Sequence, residues 1–131
     1  MILMDTCAII WDALGDKQLT PKALNAIHKA DDHNALIICD ISIWEISMLV
    51  KKRRIELETT AANFINLFLQ SRNVSVVQIS PEIADLSVNF DADISNDPAD
   101  RIIAATSISY NAQLVTADTN LIQSELVDTI W

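Results

Sequence analysis

Four short apolar runs punctuate this chain, and between them lie longer segments whose apolar residues recur at helical spacing. Met1 to Met4 has no polar break and is too short for a helix, which predicts a strand buried on both faces and ending at Asp5. Ala35 to Cys39, Val74 to Ile79 and Gln113 to Thr116 predict strands two, three and four, and a last short strand includes Ile130. A helical pattern follows the first strand through Leu14, and a second helix runs from about Pro21 to Ala30, where Thr20 can cap and Pro21 takes the first position. Ser42 to about Lys52 reads as a helix with Ile43, Ile46, Leu49 and Val50 in one stripe. Thr60 to Ser71 places Phe64, Leu67 and Phe68 on one face, Ser80-Pro81-Glu82 starts a helix that fades near Asp91, and Pro98 to about Tyr110 forms the next. Strands alternating with helices predict an α/β sandwich around a parallel sheet.

The length, 131 residues, suits one domain spanning 1–131 with no linker, and no repeat or biased stretch interrupts it. MILMD has neither a basic leader nor a small-residue cleavage site, and Asp40, Glu45 and Arg101 break the longest apolar runs. A protein of the cytoplasm with no membrane span is expected. Cys7 and Cys39 are too few for a zinc set and read as small buried residues, while His28 and His33 read as surface residues. The single glycine, Gly15, rules out a P-loop, a GxGxxG turn and a GxSxG elbow, each of which needs at least two. The net charge of -9 argues against nucleic-acid binding, which depends on phosphate neutralisation.

The placement of the acids bears on that objection. Ligands of open parallel sheets bind beyond the carboxyl ends of the strands. Asp5 follows strand one, Glu45 lies early in the helix after strand two, Asp97 and Asp100 open a helix, and Asp118 follows strand four. Each has a plain structural reading: Ser42 and Glu45 match a capping box, Asp97 and Asp100 suit a helix N-terminus, and Asp5 and Asp118 suit turns. Gathered in one crevice they would repel, by roughly 4 kcal/mol per pair at about 4 Å and an effective dielectric near 20. Some must then stay protonated, or a cation must sit among them. An all-oxygen set favours Mg²⁺ or Mn²⁺ over zinc, and such an ion leaves positions for a phosphate oxygen and a nucleophile. That arrangement cleaves phosphodiesters, since the metal acidifies the attacking water and stabilises charge on phosphorus and the leaving oxygen. It also lets an acidic pocket accept phosphate.

At these residues the chain resembles the PIN-domain family, specifically the VapC-type ribonuclease toxins of toxin-antitoxin pairs. MILMDTCAIIW, ISIWEISMLVKKRRIEL, NDPADRIIAATS and QLVTADTNL carry the resemblance, in family order and across essentially the whole chain. It implies a three-layer α/β/α sandwich with a central parallel sheet, and metal-dependent endoribonuclease activity leaving 5′-phosphate ends. It implies that Asp5, Glu45, Asp100 and Asp118 hold Mg²⁺ or Mn²⁺, with Asp97 an accessory acid or a cap and Thr6 and Thr116 in support. It also implies a homodimer and a cognate antitoxin whose C-terminal segment lies across the acidic cleft. Exposed residues of the Trp44 and Phe64 helices could supply a groove for it, although core packing explains them as well. Lys51, Lys52, Arg53 and Arg54 are candidate RNA contacts, and equally a charged helix end. Arg53 stands where such toxins usually have glycine, so a differently shaped turn is expected there, and Ala99 and Asn96 depart from the DPFDR-like segment and its usual preceding His.

Three rivals were weighed against this reading. A receiver-type signalling module would carry adjacent acids after strand one and a lysine after the last strand, but Asp5 is followed by Thr6 and Cys7. A dehalogenase-like phosphatase needs DxDx(T/V), and Cys7 takes the second aspartate's place. The strongest alternative is a catalytically silent PIN-fold binding module, because sequence displays ligands and not turnover.

Overall fold

The computed structural model describes residues 1–91 and 94–131. In chain order it contains β1 (Ile2–Met4), α1 (Thr6–Leu14), α2 (Pro21–Asp32), β2 (Leu36–Cys39), α3 (Asp40–Lys51), α4 (Ala61–Ser71) and β3 (Val74–Val77). There follow α5 (Pro81–Asn89), α6 (Pro98–Ser109), β4 (Gln113–Val115), α7 (Thr119–Gln123) and β5 (Thr129–Ile130). Every strand pair is parallel, in the order β3-β2-β1-β4-β5. The chain winds outward from β1 to β3, then returns to the other side of β1 to lay down β4. The gap between β1 and β4 is therefore where the winding reverses, the place at which such sheets form a crevice.

Alternation along the strands divides the core in two, as a sheet covered on both faces requires. Met4, Leu36, Ile38 and Val115 face one way and pack with Ile9, Ile27, Phe64 and Phe68 from α1, α2 and α4. Leu3, Ile37, Cys39 and Leu114 face the other way, against Ile103, Ala104 and Leu121 from α6 and α7. The expected three-layer α/β/α sandwich is thus present. Among the described residues no helix is long and apolar enough to cross a membrane.

Thr20, Thr60 and Ser80 cap α2, α4 and α5 by accepting backbone N–H bonds, in keeping with the sequence pattern. Three expectations need correction. The helix placed at Ser42 begins at Asp40, because β2 runs straight into it; Cys39 is its N-cap and Ser42, fully buried, caps nothing. Strand three stops at Val77 instead of Ile79, since its neighbour β2 has already ended, and the Ile79 N–H donates to Asp40 Oδ2 at 3.3 Å. The five-residue α7 was not foreseen, being too short to show a period.

Four helices end in one way, with a left-handed residue that lets two backbone N–H groups fold back onto the last turn. Gly15 (φ 63°), Asn34 (φ 53°), Arg53 (φ 57°) and Asn111 (φ 49°) occupy these positions after α1, α2, α3 and α6. After α3 the Arg53 N–H donates to Val50 O at 3.1 Å and the Arg54 N–H to Leu49 O at 2.9 Å. The turn at Arg53 is therefore not reshaped by the loss of glycine; arginine adopts the conformation glycine would favour and bears the steric penalty of its Cβ. We expect Arg53→Gly to raise stability by about 0.5–1 kcal/mol, seen as a higher urea midpoint with an unchanged m-value. A lower midpoint would show that the Arg53 side chain contributes more than its backbone strain removes.

Candidate active site

The carboxyl ends of β1 and β4 deliver two acids to the crevice. Asp5 ends β1 and caps α1, its Oδ1 accepting the Ala8 N–H at 2.8 Å, while its own N–H donates to Val115 O at 3.1 Å across the switch point. Beyond β4, Asp118 caps α7 by accepting the Leu121 N–H at 3.0 Å, and its N–H donates to the buried Thr116 hydroxyl at 3.1 Å. From α6, Asp97 takes the cap position, accepting N–H bonds from Ala99 at 2.8 Å and Asp100 at 3.3 Å. The Ser95 hydroxyl stands 3.3 Å from Asp100 Oδ2, to which it donates. Glu45 enters from α3, held by a short hydrogen bond from the buried Thr6 hydroxyl, which also lies 3.0 Å from Ser42 Oγ.

These elements enclose a cavity of about 350 Å³ lined by Asp5, Thr6, Cys7, Trp11, Glu45, Leu49, Asp97, Asp100, Ala117 and Asp118. All five acids singled out in the sequence reach it, and so does Thr6. Thr116 is buried beside the cavity and does not line it, and Lys51, Lys52, Arg53 and Arg54 are exposed beyond the end of α3, outside the lining. The capping and clustering readings of Asp5, Asp97 and Asp118 turn out to be compatible, since one oxygen can hold a helix end while the carboxylate borders the cavity. The Ser42–Glu45 capping box is replaced by a Thr6–Glu45 pairing between two helices.

Burial, followed by the charges of Asp97, Asp118 and Glu45, pushes the Asp100 carboxyl up to about 7. Burial likewise lifts Asp5 to about 6, opposed only in part by the Thr116 hydroxyl and the Ala8 N–H, with Glu45 and Asp118 adding to the rise. Glu45 is raised too, by burial first and then by Asp97, against the pull of Thr6. Among the described residues no lysine or arginine forms an ion pair with these acids; the salt bridges present join Arg72 to Asp12 and Asp31. Nor does the arrangement come ready-made for an ion, because no three such side chains already stand at ion-holding distances among the described residues. An all-oxygen set with surplus negative charge and, among the described residues, no basic partner nonetheless fits a hard divalent cation, whose binding would compete with protonation of Asp5 and Asp100.

Two residues change role in three dimensions. Cys7, read from the sequence as buried, is exposed at the cavity, because the second residue of α1 lies on the side turned from the core. Its thiol is pushed up to about 12 by partial burial and then by Asp5, Glu45, Asp100 and Asp118, so it stays neutral and is no nucleophile. Arg101, beside Asp100 in sequence, points away from the acids. It donates to Ser87 O at 2.8 Å and Ser95 O at 2.9 Å, also reaches Phe90 O, and lies 5.8 Å from the Phe90 ring. It thereby fastens the segment leading into α6. The sequence reading put Leu49 in the apolar stripe of its helix and gave Trp11 no role; only the i, i+4 spacing from Glu45 and Cys7 could have placed them at the cavity.

A PIN domain family model matches residues 2–125. The chain is 31% identical over 120 residues to Ribonuclease VapC22 of Mycobacterium tuberculosis, covering 92% of this chain and 88% of that protein. VapBC2 from Rickettsia felis, solved bound to a DNA fragment from its promoter, superposes with TM-score 0.73 at 17% identity, over 98% of this chain and 97% of that one. A toxin-antitoxin complex from Klebsiella pneumoniae gives 0.67 at 21% identity, over 97% and 95%. PAE2754 from Pyrobaculum aerophilum gives 0.65 at 20% identity, over 98% and 82%. At these identities the structural likeness is one of fold.

A carboxyl whose folded pKa lies above its unfolded value contributes most when protonated, and that contribution is lost as pH rises through the folded value. For Asp100 the window runs from the ordinary 3.8 to about 7. Metal-free Asp100→Asn protein is therefore expected to melt several degrees above wild type at about pH 8 and close to it at about pH 4. Millimolar Mg²⁺ should reverse the order at the higher pH, because the wild-type acids bind the ion better. Equal melting temperatures at both pH values would show that Asp100 is not under electrostatic strain.

Proposed function

The chain belongs to the PIN-domain family, and on that footing we propose that it is a divalent-metal-dependent endoribonuclease, the toxin of a toxin-antitoxin pair. The observation that carries the proposal is the meeting of five carboxylates around one cavity with, among the described residues, no basic side chain paired to them. The similarity to a protein named as a ribonuclease supports the reaction, and the fold neighbours, named as toxin-antitoxin complexes, support the antitoxin partner. The protein acts as a single domain over residues 1–131, in the cytoplasm, as a homodimer.

In this reading Asp5, Glu45, Asp100 and Asp118 hold Mg²⁺ or Mn²⁺, with Asp97 as accessory acid and helix cap. The ion would neutralise the cluster, make a water more acidic and stabilise charge on phosphorus and on the leaving oxygen. The chain's own groups set the stage for hydrolysis. Thr6 aims Glu45, Thr116 and the Ala8 N–H steady Asp5, and Ser95 steadies Asp100. Water adds across the P–O3′ bond, leaving a 5′-phosphate on one fragment and a 3′-hydroxyl, which takes up a proton, on the other. Lys51, Lys52, Arg53 and Arg54, exposed at the end of the helix that carries Glu45, bind the RNA backbone by charge.

The antitoxin lies across the acidic cleft and over the apolar surface beside it. Trp44 and Leu67, 60% and 62% exposed, are the residues of α3 and α4 free to meet it, whereas Phe64 is in the core and takes no part.

The test incubates purified wild type and Asp100→Asn with pooled tRNA and mRNA, with Mg²⁺ or EDTA, and maps the fragment ends. Discrete 5′-phosphate cuts by wild type with metal alone are expected, with Asp100→Asn slower by at least about a hundredfold. Cutting of equal rate by both proteins would remove Asp100 from the mechanism. Intact RNA in every lane, with Mg²⁺ bound, would favour the silent binding module. Lys52→Ala with Arg54→Ala is expected to raise KM and flatten its dependence on salt while leaving kcat in place.

A further inference from the structure

The cavity has two unlike sides. Its acids face an apolar wall made by Trp11 and Leu49, each one helical turn beyond a more polar lining residue, Cys7 on α1 and Glu45 on α3. A site that handled only an ion and a phosphate would have no use for an indole. Trp11 is half-buried, and its ring centroid lies 5.6 Å from that of Trp131 at an interplanar angle of 50°. Trp131 is not a lining residue, and both indoles rest against the core on one face of the sheet, which holds them in place. The backbone beneath is fixed as well. The Trp11 carbonyl accepts the Asp16 N–H at 2.8 Å in the turn around Gly15, and the neighbouring Asp12 is clamped by Arg72 at 2.7 and 3.1 Å.

We propose that Trp11 is a stacking platform for an unpaired base of the RNA next to the scissile phosphate. This rests on the nuclease reading and deepens it, because it makes Trp11 the residue that selects the base held beside the cut. A base in a duplex has no free face to offer, while a splayed base can lie on an aromatic ring that is already rigid, losing little entropy. Leu49 extends the apolar surface, and the exposed basic residues just beyond it on α3 give the departing backbone a path.

The test uses the full chain with a short unstructured RNA and a series in which each base in turn is replaced by an abasic site. Stopped-flow tryptophan fluorescence is read before cutting, in a Trp44→Phe background that removes the exposed indole outside the cavity. Quenching is expected with the intact strand, lost for one abasic position beside the cut, and lost when the strand is annealed to its complement. In steady state Trp11→Leu should raise KM about tenfold with kcat little changed, and Trp11→Phe should recover most of the loss. Uniform quenching along the abasic series, or an unaltered KM in Trp11→Leu, would reduce Trp11 to a packing residue and overturn the proposal. Should Trp11→Leu fail to fold, the abasic series on protein with Trp11 in place still decides. Failure of the nuclease reading is seen separately, as RNA left uncut by wild type with Mg²⁺; a position-specific quench would then still assign the base platform, on a silent module.

Discussion

Carboxylates brought together at the ends of β1 and β4 repel one another, and the local structure around them is arranged to bear that repulsion. Asp5, Asp97 and Asp118 each turn one oxygen onto a helix N-terminus, whose free N–H groups and dipole favour negative charge. Glu45 and Asp100 lack that support and lean on single hydroxyls, Thr6 and Ser95. Asp100 is accordingly lifted to about 7, and Glu45 is raised as well. Asp5 is lifted despite its cap, because it sits deepest. The crowding of these acids leaves an electrostatic cost stored at the crevice.

Such a cluster persists only if the surrounding frame cannot open to relieve it. Arg101 gathers three backbone carbonyls and so anchors the approach to α6, which carries Asp97 and Asp100. Arg72 joins the end of α4 to Asp12 of α1 and Asp31 of α2, closing the layer behind Trp11. Both arginines are thus engaged in holding the fold, although the chain as a whole is acidic. The remaining cations are the lysines and the two arginines at the end of α3, which lie outside the cavity.

The turn at Arg53 illustrates how far backbone geometry can outlast a residue change. The helix-ending motif there needs a left-handed residue, and two backbone hydrogen bonds onto the last turn keep it although arginine disfavours that conformation. A reading by residue type expected a reshaped turn, whereas the hydrogen bonds of the last helical turn enforce the old one. Cys7 teaches the complementary lesson. Its small apolar character pointed to the core, but its position on α1, two residues past the cap, turns it toward the acids.

By itself the sequence determined the order of strands and helices, because unbroken apolar runs and helical spacing are local properties that survive without knowledge of neighbours. Thr20, Thr60, Ser80 and Asp97 were legible as helix starts for the same reason, since a cap bonds to N–H groups two or three residues away. Asp5 and Asp118 were legible from their places just after strands, and Glu45, Asp97 and Asp100 from theirs at or near the starts of helices. Tertiary structure alone decided that β4 lies against β1, which brings Asp118 and Asp5 to one crevice across more than a hundred residues of chain. It alone decided that Thr6 binds Glu45, that Arg101 faces away, and that Trp11 walls the cavity. Those outcomes depend on how helices rotate and settle against the sheet, which is set by the packing of two buried faces at once and leaves no trace in the spacing of any single segment.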